Sequence, residues 1–372
     1  MRIALIGRRF DPSGGGTERD LIVTARILAQ AGHEIRIYAE DVRGAWTESP
    51  VARVRTAAVG RSLRFLGFAA KASAVARREG AELVVSFARV LEADILRSGG
   101  SAHESYLAAA RAWQSSLGRA AMRLSPYERI QVMVERRSFR ASRLRRVIAV
   151  SQLVRDDLID RFGLDPALPA VLYNGVDLER FQPQLRDSRG ASIRTELGLP
   201  QDAPVVTFVG NGFARKGLGF LIRAWKDVVG RALLVVAGTD GAAARYRRLA
   251  RRLGIGERVR FLGAYGQIEQ LFAAADALVL PSLFEPFGNV VLEAMAAGLP
   301  ASCSAACGAA EALPAAMKDL VVRDPTDLSE LTTRVNTLIE RSADLRRVAR
   351  AAAERFTWTE HAERLQRLIM NS

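Results

Sequence analysis

Two carboxylates and two cations in the second half of the sequence are the residue types best suited to bind and activate a substrate. Glu285 and Glu293 lie eight residues apart in FEPFGNVVLEAMAAG. Apolar residues surround Glu293 in a helical pattern, so we expect it to be buried and to need donors such as the paired hydroxyls of a ribose or sugar. Arg215 and Lys216 lie in GNGFARKGLG, directly after an apolar strand pattern. Two cations beside a glycine-rich turn favour a diphosphate ligand.

Backbone amides near these side chains could bind the same ligand. Gly288, Asn289 and Val290 stand at the predicted start of a helix, where N–H groups and the helix dipole attract anions. Gly212 belongs to the glycine-rich turn, which lets a phosphate approach the backbone closely. The alternatives are a solvated basic turn and an ordinary acidic helix terminus.

A third glycine-rich segment follows the first predicted strand. Gly15 and Gly16 precede a helix that we expect to begin near Thr17, with Asp20 as its capping partner. The backbone here could also approach a ligand closely. The spacing differs from the G-x-G-x-x-G of a dinucleotide-binding turn, and the later basic loop differs from G-x-x-x-x-G-K-[ST]. A flexible turn into a helix is the alternative.

Short apolar runs alternate with amphipathic stretches through both halves of the chain. This predicts an α/β fold of two doubly wound, Rossmann-like parallel-sheet domains facing across a cleft, with ligands at the carboxyl ends of the strands. We predict domains at 1–180 and 181–355, a polar linker at 175–203, and a C-terminal helix at 356–372 that could pack back on the first domain. The predicted strands are 2–7, 34–39, 82–87, 146–150, 170–174, 205–210, 233–238, 259–263, 277–281 and 299–303. The predicted helices are 17–31, 62–79, 104–117, 124–141, 152–162, 217–229, 242–253, 267–275, 289–297 and a helical stretch over 326–370 that breaks near Phe356.

The charge of the chain is strongly basic and unevenly distributed. The 372 residues carry 54 Lys and Arg against 40 Asp and Glu, a net charge of +14. Residues 1–150 hold 26 basic and 14 acidic residues, and ten arginines fall between Arg111 and Arg146. A basic face suggests a phosphate-bearing partner, either nucleic acid or an anionic membrane. The alternative is that a GC-rich gene encodes Arg at positions that need only an ordinary solvated charge. Because the sequence has no nucleic-acid recognition module, we expect no nucleic-acid partner.

Cysteine count and hydropathy exclude other classes of protein. Cys303 and Cys307 are too few for a disulfide framework, and no Cys/His cluster has zinc-ligand spacing. We expect no membrane span, because no uninterrupted apolar stretch of about 18 residues occurs, and the opening MRIALIG indicates a strand rather than a signal peptide. We therefore expect a cytoplasmic protein. The sequence also contains no Asp-x-Asp, so we expect that the protein requires no metal.

These motifs together resemble retaining glycosyltransferase family 4. The Glu pair followed by AMAAGLP carries the resemblance, with the Arg-Lys-Gly loop, GGGTERDL, AVSQLVRDDL and YNGVDLERF in the same order over essentially the whole chain. The segment ADILRSGGSAHESYL is similar to glucosyltransferases of the lipopolysaccharide-core type. The Ala-rich CSAACGAAEAL departs from the Gly-Gly-containing turn of the family, which leaves the contacts of that loop open.

The resemblance implies the GT-B fold and roles for individual residues. Glu285 would bind hydroxyls of the donor sugar, and Glu293 those of the ribose. Arg215 and Lys216 would hold the diphosphate and stabilise charge on the departing nucleotide. His103 falls in the loop where the family often places a histidine near the donor sugar. Residues implied to lie against the donor or acceptor are Gly15 and Gly16.

The function that follows is retaining, metal-independent transfer of a hexose from a nucleotide sugar, with UDP-glucose or a related UDP-sugar as the first choice. The acceptor would be a glycan, such as lipopolysaccharide core or another lipid-linked glycan, and no cofactor is expected. The basic first domain would place the enzyme on the inner face of the cytoplasmic membrane. Residues available for a shallow apolar contact are Tyr106, Trp113, Leu117 and Tyr127. The alternatives on the same fold are an epimerase, which needs further acid–base groups, and a phosphorylase, which needs a cofactor lysine.

Overall fold

The computed structural model describes residues 1–12, 14, 16–56 and 59–371. They form two compact units. Unit 1 contains Met1–Asn174 and His361–Ser372, and unit 2 contains Gly175–Glu360. Both units are α/β with parallel sheets, as the alternation of apolar and amphipathic segments predicts.

Unit 1 is built on a seven-stranded parallel sheet in the order β3-β2-β1-β4-β5-β6-β7. Its core strands are apolar and buried on both faces; Ile3, Leu5 and Ile6 are at most 1% exposed. The strands are β1 (Arg2–Phe10), β2 (Glu34–Val42), β3 (Val51–Arg53), β4 (Leu83–Ser86), β5 (Ile95–Ser98), β6 (Arg146–Ala149) and β7 (Pro169–Val171). The helices are α1 (Gly16–Gln30), α2 (Arg61–Arg78), α3 (His103–Ala110), α4 (Ser116–Leu124), α5 (Pro126–Ser138) and α6 (Gln152–Phe162).

The sequence pattern missed two strands of this sheet and most of helix α4. Strand β3 has three residues, and β5 carries Arg97, whose charge hides the apolar pattern. The helix predicted over 104–117 ends at Ala110, and α4 begins after Ser115, whose hydroxyl caps it by accepting from Gly118 N.

Unit 2 is built on a five-stranded parallel sheet in the order β10-β9-β8-β11-β12. Its strands are β8 (Val205–Val209), β9 (Leu233–Ala237), β10 (Val259–Gly263), β11 (Ala277–Leu280) and β12 (Ala301–Cys303). Its helices are α7 (Gln184–Glu196), α8 (Leu218–Ala224), α9 (Ala243–Arg252), α10 (Ile268–Ala274), α11 (Asn289–Ala296), α12 (Leu328–Glu340) and α13 (Ser342–Ala353).

The boundary between the two units falls between Asn174 and Gly175, at the start of the polar segment 175–203, as predicted. The prediction that this segment is an open linker was wrong. The segment contains α7, which packs against α10. Ile193 and Arg194 are buried, and Arg194 Nη2 donates to Asp276 Oδ2 at 2.7 Å. A distant ion pair therefore fixes a helix whose own sequence is polar.

The last helix, α14 (Trp358–Met370), follows a break after Ala353 that the sequence predicted near Phe356. From His361 onward it belongs to unit 1. Leu365 and Ile369 enter the apolar core of that unit, and His361 Nδ1 lies 2.7 Å from the carbonyl oxygen of Tyr173. No helix among the described residues has the length and apolar character to cross a bilayer.

Candidate active site

The cations and the first carboxylate of the sequence prediction meet at one place in unit 2. The chain runs from β8 to β9 on one side and later to β11 on the other, so the strand order reverses between β8 and β11. Ligand sites of doubly wound sheets form at the carboxyl ends of strands at such a reversal. Arg215 and Lys216 follow β8, and Glu285 follows β11.

These three side chains form a compact charged cluster. Lys216 Nζ donates to Glu285 Oε2 at 2.6 Å, and Arg215 Nη1 donates to the same oxygen at 2.9 Å. The side chains of Lys216 and Glu285 are 11% and 13% exposed, whereas Arg215 is 27% exposed. Two cations on one carboxylate leave an excess of positive charge, which suits an anionic ligand.

The protonation state of Glu285 follows from these neighbours. Burial acts to raise the pKa of Glu285, but the charges of Lys216 and Arg215 outweigh it, so the pKa is lowered. The carboxylate is therefore ionised at neutral pH. In that state it accepts hydrogen bonds from hydroxyl groups and does not act as a general acid.

The Ala-rich loop that departs from the family pattern holds the backbone of Glu285. Glu285 N donates to Ala306 O at 2.9 Å, and Gly308 N donates to Glu285 O at 3.0 Å. Beneath this pairing, Cys307 Sγ donates to Phe287 O at 3.0 Å. Burial raises the pKa of Cys307 well above its usual range, so the thiol stays neutral and acts as a packing residue.

Glycines allow the loops of this site to approach each other. Gly217 has φ +76°, and a Cβ there would lie 1.9 Å from the carbonyl oxygen of Pro281. Gly238, at φ +132°, would place a Cβ 2.2 Å from Gly210 O. Gly212 has φ +73°, and a Cβ there would meet no described atom within 4 Å. Gly217 and Gly238 thus allow the backbones of neighbouring loops to come into close contact, while Gly212 borders open space.

A third loop, after β9, joins the site and was missed by sequence reasoning. Asp240 Oδ2 accepts from Phe213 N at 2.7 Å, and Asn211 Oδ1 accepts from Thr239 N at 2.7 Å. These bonds fix the loop that carries the two cations. The run Gly238-Thr239-Asp240 directly after an apolar strand was the signal that could have revealed it.

Helix α11 carries Glu293 and begins next to Glu285. Its N-cap residue Gly288 has φ +95°, and a Cβ there would lie 2.8 Å from Cys307 Sγ. Asn289 and Val290 lie in the first turn, and the N-cap glycine has no side chain that could cap it. The sequence analysis overestimated the burial of Glu293. The residue is half-buried, while its apolar neighbours are buried. Its carboxylate therefore lies on the partly open side of the helix.

The glycine-rich segment of unit 1 borders a separate cavity at the carboxyl ends of β1, β4 and β5. Gly15 lies outside the described residues. Gly16 begins α1, and a Cβ there would meet no described atom within 4 Å. The cavity has a volume of about 330 Å³, and Thr17, Ser86 and Ser98 contribute to its wall. The unit thus offers a polar pocket beside the predicted backbone site.

Asp20, the predicted capping partner of α1, binds Arg97. Its Oδ2 accepts from Arg97 Nε at 3.0 Å, and Arg97 Nη2 donates to Asn174 Oδ1 at 3.0 Å. Asp20 and Arg97 both line the cavity. Sequence reasoning missed Arg97, because one arginine among many gave no sign of being buried.

His103 is the first residue of α3 and is buried in unit 1. Its Nε2 lies 2.5 Å from Glu128 Oε2 and 3.2 Å from Gln131 Nε2, and its backbone N donates to Glu135 Oε2 at 2.6 Å. Burial and the charge of Arg89 lower the pKa of His103 despite Glu128, so the imidazole is neutral at pH 7. Gln131 and Glu135 line the 330 Å³ cavity, so His103 lies directly behind its wall.

The chain has two α/β units, each built on a parallel sheet, and the second has two cations beside a carboxylate where its strand order reverses. These features are those of the GT-B class of protein. Family models agree with that class. Residues 14–180 match the model for glycosyltransferase family 4, and residues 191–355 match the model for group 1 glycosyl transferases. The two models together cover most of the chain, which therefore belongs to the family 4 glycosyltransferases.

Individual relatives and structures extend the comparison. The chain is 34% identical over 230 residues to D-inositol 3-phosphate glycosyltransferase 2 of Catenulispora acidiphila, covering 58% of this chain and 53% of the relative. It thus spans about half the length of the curated relatives it matches. The crystal structure of WaaG, a glycosyltransferase involved in lipopolysaccharide biosynthesis, superposes with a TM-score of 0.82 at 22% identity over 100% of both chains. Anabaena HepE in complex with UDP and glucose gives 0.75 at 22% identity over 100% of both chains. At these identities the structures show the fold.

Proposed function

We propose that this protein transfers a hexose from a nucleotide sugar to a hydroxylated acceptor, with retention of configuration and without a metal. The observation that carries the proposal is the cluster of Lys216 and Arg215 around ionised Glu285, at the strand reversal of unit 2. Family membership and the UDP bound to the HepE fold relative support the same donor class.

The chemistry follows from charge. A nucleotide-sugar bond breaks through an oxocarbenium-like state while negative charge develops on the diphosphate. Lys216 and Arg215 stabilise that charge electrostatically, and the burial of Lys216 strengthens its effect. Glu285 is an acceptor for hydroxyls of the donor sugar, and Glu293 for those of the ribose. We propose that an acceptor hydroxyl attacks from the face that the diphosphate leaves and passes its proton to an oxygen of the departing diphosphate.

UDP-glucose is the proposed donor, and a cell-surface or lipid-linked glycan is the proposed acceptor. The WaaG fold relative supports a glycan acceptor, whereas the inositol 3-phosphate glycosyltransferases favour a phosphorylated polyol as the second candidate. The cavity of unit 1, with Arg8, Arg89 and Arg97 in its wall, suits a hydroxyl-rich acceptor of either kind.

A thermal-shift panel over UDP-, GDP- and ADP-sugars tests the donor, because a ligand that binds the folded state raises the melting temperature. We expect UDP-glucose to give the largest shift and transfer activity to survive excess EDTA. Loss of activity in EDTA that Mg²⁺ or Mn²⁺ restores would contradict the metal-free mechanism. A larger shift with a GDP- or ADP-sugar would contradict the choice of base.

We also propose that unit 1 binds anionic membrane surfaces. Leu117 and Leu124 on α4 are 84% and 68% exposed, and none of the residues of α4 is buried. The arginines beside them, at the C-cap of α3 and on α4 and α5, are Arg111, Arg119, Arg123 and Arg129. Tyr127 takes no part, since it is buried against Phe65.

Co-sedimentation with vesicles of phosphatidylglycerol tests this location. The protein should pellet at low salt and be released at high salt, because the attraction decays over a Debye length of about 8 Å at physiological salt. Replacing Arg136, Arg137, Arg140 and Arg143 together by Gln, all of them exposed, should release it. A protein that stays in the supernatant at low salt contradicts membrane binding.

A further inference from the structure

A second cluster of arginines lies at the amino-terminal ends of strands β8 and β11 in unit 2. Asp276 immediately precedes β11, and its Oδ2 accepts from Val205 N, the first residue of β8, at 2.8 Å. Three guanidinium groups converge on the same carboxylate. Arg194 Nη2 donates to Oδ2 at 2.7 Å, while Arg186 Nη2 and Arg346 Nη2 donate to Oδ1 at 2.7 and 3.2 Å. This cluster stands at the amino ends of the strands, whereas Glu285 follows their carboxyl ends.

One carboxylate does not neutralise three guanidinium groups. Burial and the charge of Arg186 lower the pKa of Arg346, and Asp276 offsets this only in part. The side chains of Arg186 and Arg346 are 28% and 24% exposed, so water screens the excess charge only partly. A second anion beside Arg346 would relieve this repulsion.

A cavity of about 680 Å³ lies beside the cluster. Its size is within the range of small-molecule sites. Four arginines contribute to its wall, whereas Asp187 and Glu354 are its acidic residues. The arginines are Arg186, Arg346, Arg347 and Arg350. The pocket is therefore basic.

Two of the four arginines serve the fold, and two have donors to spare. Arg350 Nη1 donates to Ala296 O at 2.7 Å and Phe181 O at 2.9 Å, and Arg186 Nη1 donates to the carbonyl oxygen of Ala275. Among the described residues, Arg346 makes a single side-chain hydrogen bond, to Asp276. Arg347 is exposed, and the described part of the chain provides no ion-pair partner for it. Adjacent guanidinium groups with unused donors match the oxygens of a phosphate group.

We propose that this pocket, formed by α7, α13 and the end of α11, binds a phosphate group, either as a free phosphate ion or on a small phosphorylated molecule. The site is separate from the proposed donor site. It uses Arg346 and Arg347 as direct ligands, and Arg186 supplies additional positive potential, while Arg350 is paired with Glu354. It does not depend on the proposed glycosyl transfer.

Isothermal titration of the full chain at constant ionic strength tests the site. The probes are inorganic phosphate, pyrophosphate and glucose 6-phosphate, and the variants are Arg347→Gln, Lys216→Ala and Arg323→Gln. Arg347→Gln should fold normally, because the residue is exposed. Arg323 is an exposed arginine of the same unit outside the pocket, so its variant is the matched control.

We expect at least one probe to bind the wild-type protein, with affinity about tenfold weaker in Arg347→Gln and unchanged in Arg323→Gln, whereas Lys216→Ala removes only binding at the donor site. Tighter binding of glucose 6-phosphate than of phosphate identifies a phosphorylated molecule as the ligand, and the reverse identifies the free ion. Binding that Lys216→Ala abolishes and Arg347→Gln leaves intact belongs to the donor site and overturns the proposal. Failure of all three probes to bind the wild-type protein overturns it as well.

Discussion

Lys216 and Arg215 donate to the same oxygen of Glu285, yet their environments differ. The Lys216 side chain is nearly buried, and its stem lies against Gly210, where a Cβ would approach Lys216 Cε to 2.5 Å. Arg215 is more open and also donates to Phe284 O at 2.7 Å. Lys216 is thus the cation held in a fixed place, and a fixed charge stabilises a transition state without reorganisation.

Replacing Lys216 by Ala should lower kcat with UDP-glucose by about 10²- to 10³-fold while the protein stays folded, because Arg215 remains to pair with Glu285. Steady-state kinetics and circular dichroism measure the two effects. Lys226→Ala removes an exposed lysine of the same unit and should leave kcat unchanged. Equal kcat in both variants would remove Lys216 from the mechanism.

His103→Ala should reduce transfer about tenfold with less effect on nucleotide affinity, since His103 belongs to unit 1 and supports the wall of its cavity. The readout is kcat for transfer beside the dissociation constant for UDP. His33→Ala, in the turn between α1 and β2, controls for loss of a histidine from the same unit. Wild-type turnover in a folded His103→Ala protein would leave the residue a structural role only.

At the scale of elements, sequence reasoning succeeded where local pattern and tertiary structure agree. Strand β8 and the loop with Arg215 form where an apolar run and a glycine cluster predict them. It failed where distant partners decide the outcome. Helix α7 depends on Arg194 reaching Asp276, and β5 depends on Arg97 reaching Asp20. Residues separated by about 80 positions give no local signal of such pairing, so polar composition alone suggested a linker.

The loop between β8 and α8 depends on a glycine that no other residue can replace without strain. Gly217→Ala should destabilise unit 2 by about 3 kcal/mol and reduce UDP-glucose binding, because its Cβ would collide with Pro281. Gly230→Ala is the matched control, since Gly230 also has a positive φ of 71° but has open space at its Cβ position. It should cost only about 1 kcal/mol. Urea unfolding of both variants measures the difference, and equal losses would show that close approach to Pro281 is unimportant.

At the scale of the whole molecule, each unit has its own charged network. In unit 1 the network contains Arg97 and Asp20. In unit 2 one network contains Asp276, at the amino-terminal ends of the strands, and another contains Glu285, beyond their carboxyl ends. The network at Asp276 anchors α7 and α13 to the sheet. We therefore expect the stability of unit 2 to depend on the ionisation of that carboxylate.

Burial acts to raise the pKa of Asp276, but the bond from Val205 N and the charges of Arg194 and Arg186 outweigh it and lower the pKa. A carboxyl whose folded pKa is depressed stabilises the fold above its unfolded pKa and loses that contribution as pH falls through the folded value. Asp276→Asn should thus lower the free energy of unfolding by about 3 kcal/mol at pH 7. Urea unfolding should show this difference shrinking below pH 3.8. A difference that is constant with pH would contradict the role of the charge.

The most direct test of the account is calorimetric titration of UDP, GDP and ADP into the wild-type protein and into Glu293→Gln. Gln keeps the volume of Glu but loses charge-assisted hydrogen bonds to the ribose hydroxyls. We predict that one nucleoside diphosphate, UDP as the first choice, binds the wild-type protein with 1:1 stoichiometry and at least about tenfold more weakly to Glu293→Gln. Glu340→Gln, an exposed carboxylate on α12, should bind like the wild type. If none of the three binds the folded wild-type protein, or if Glu293→Gln retains full affinity, the proposed donor site is wrong.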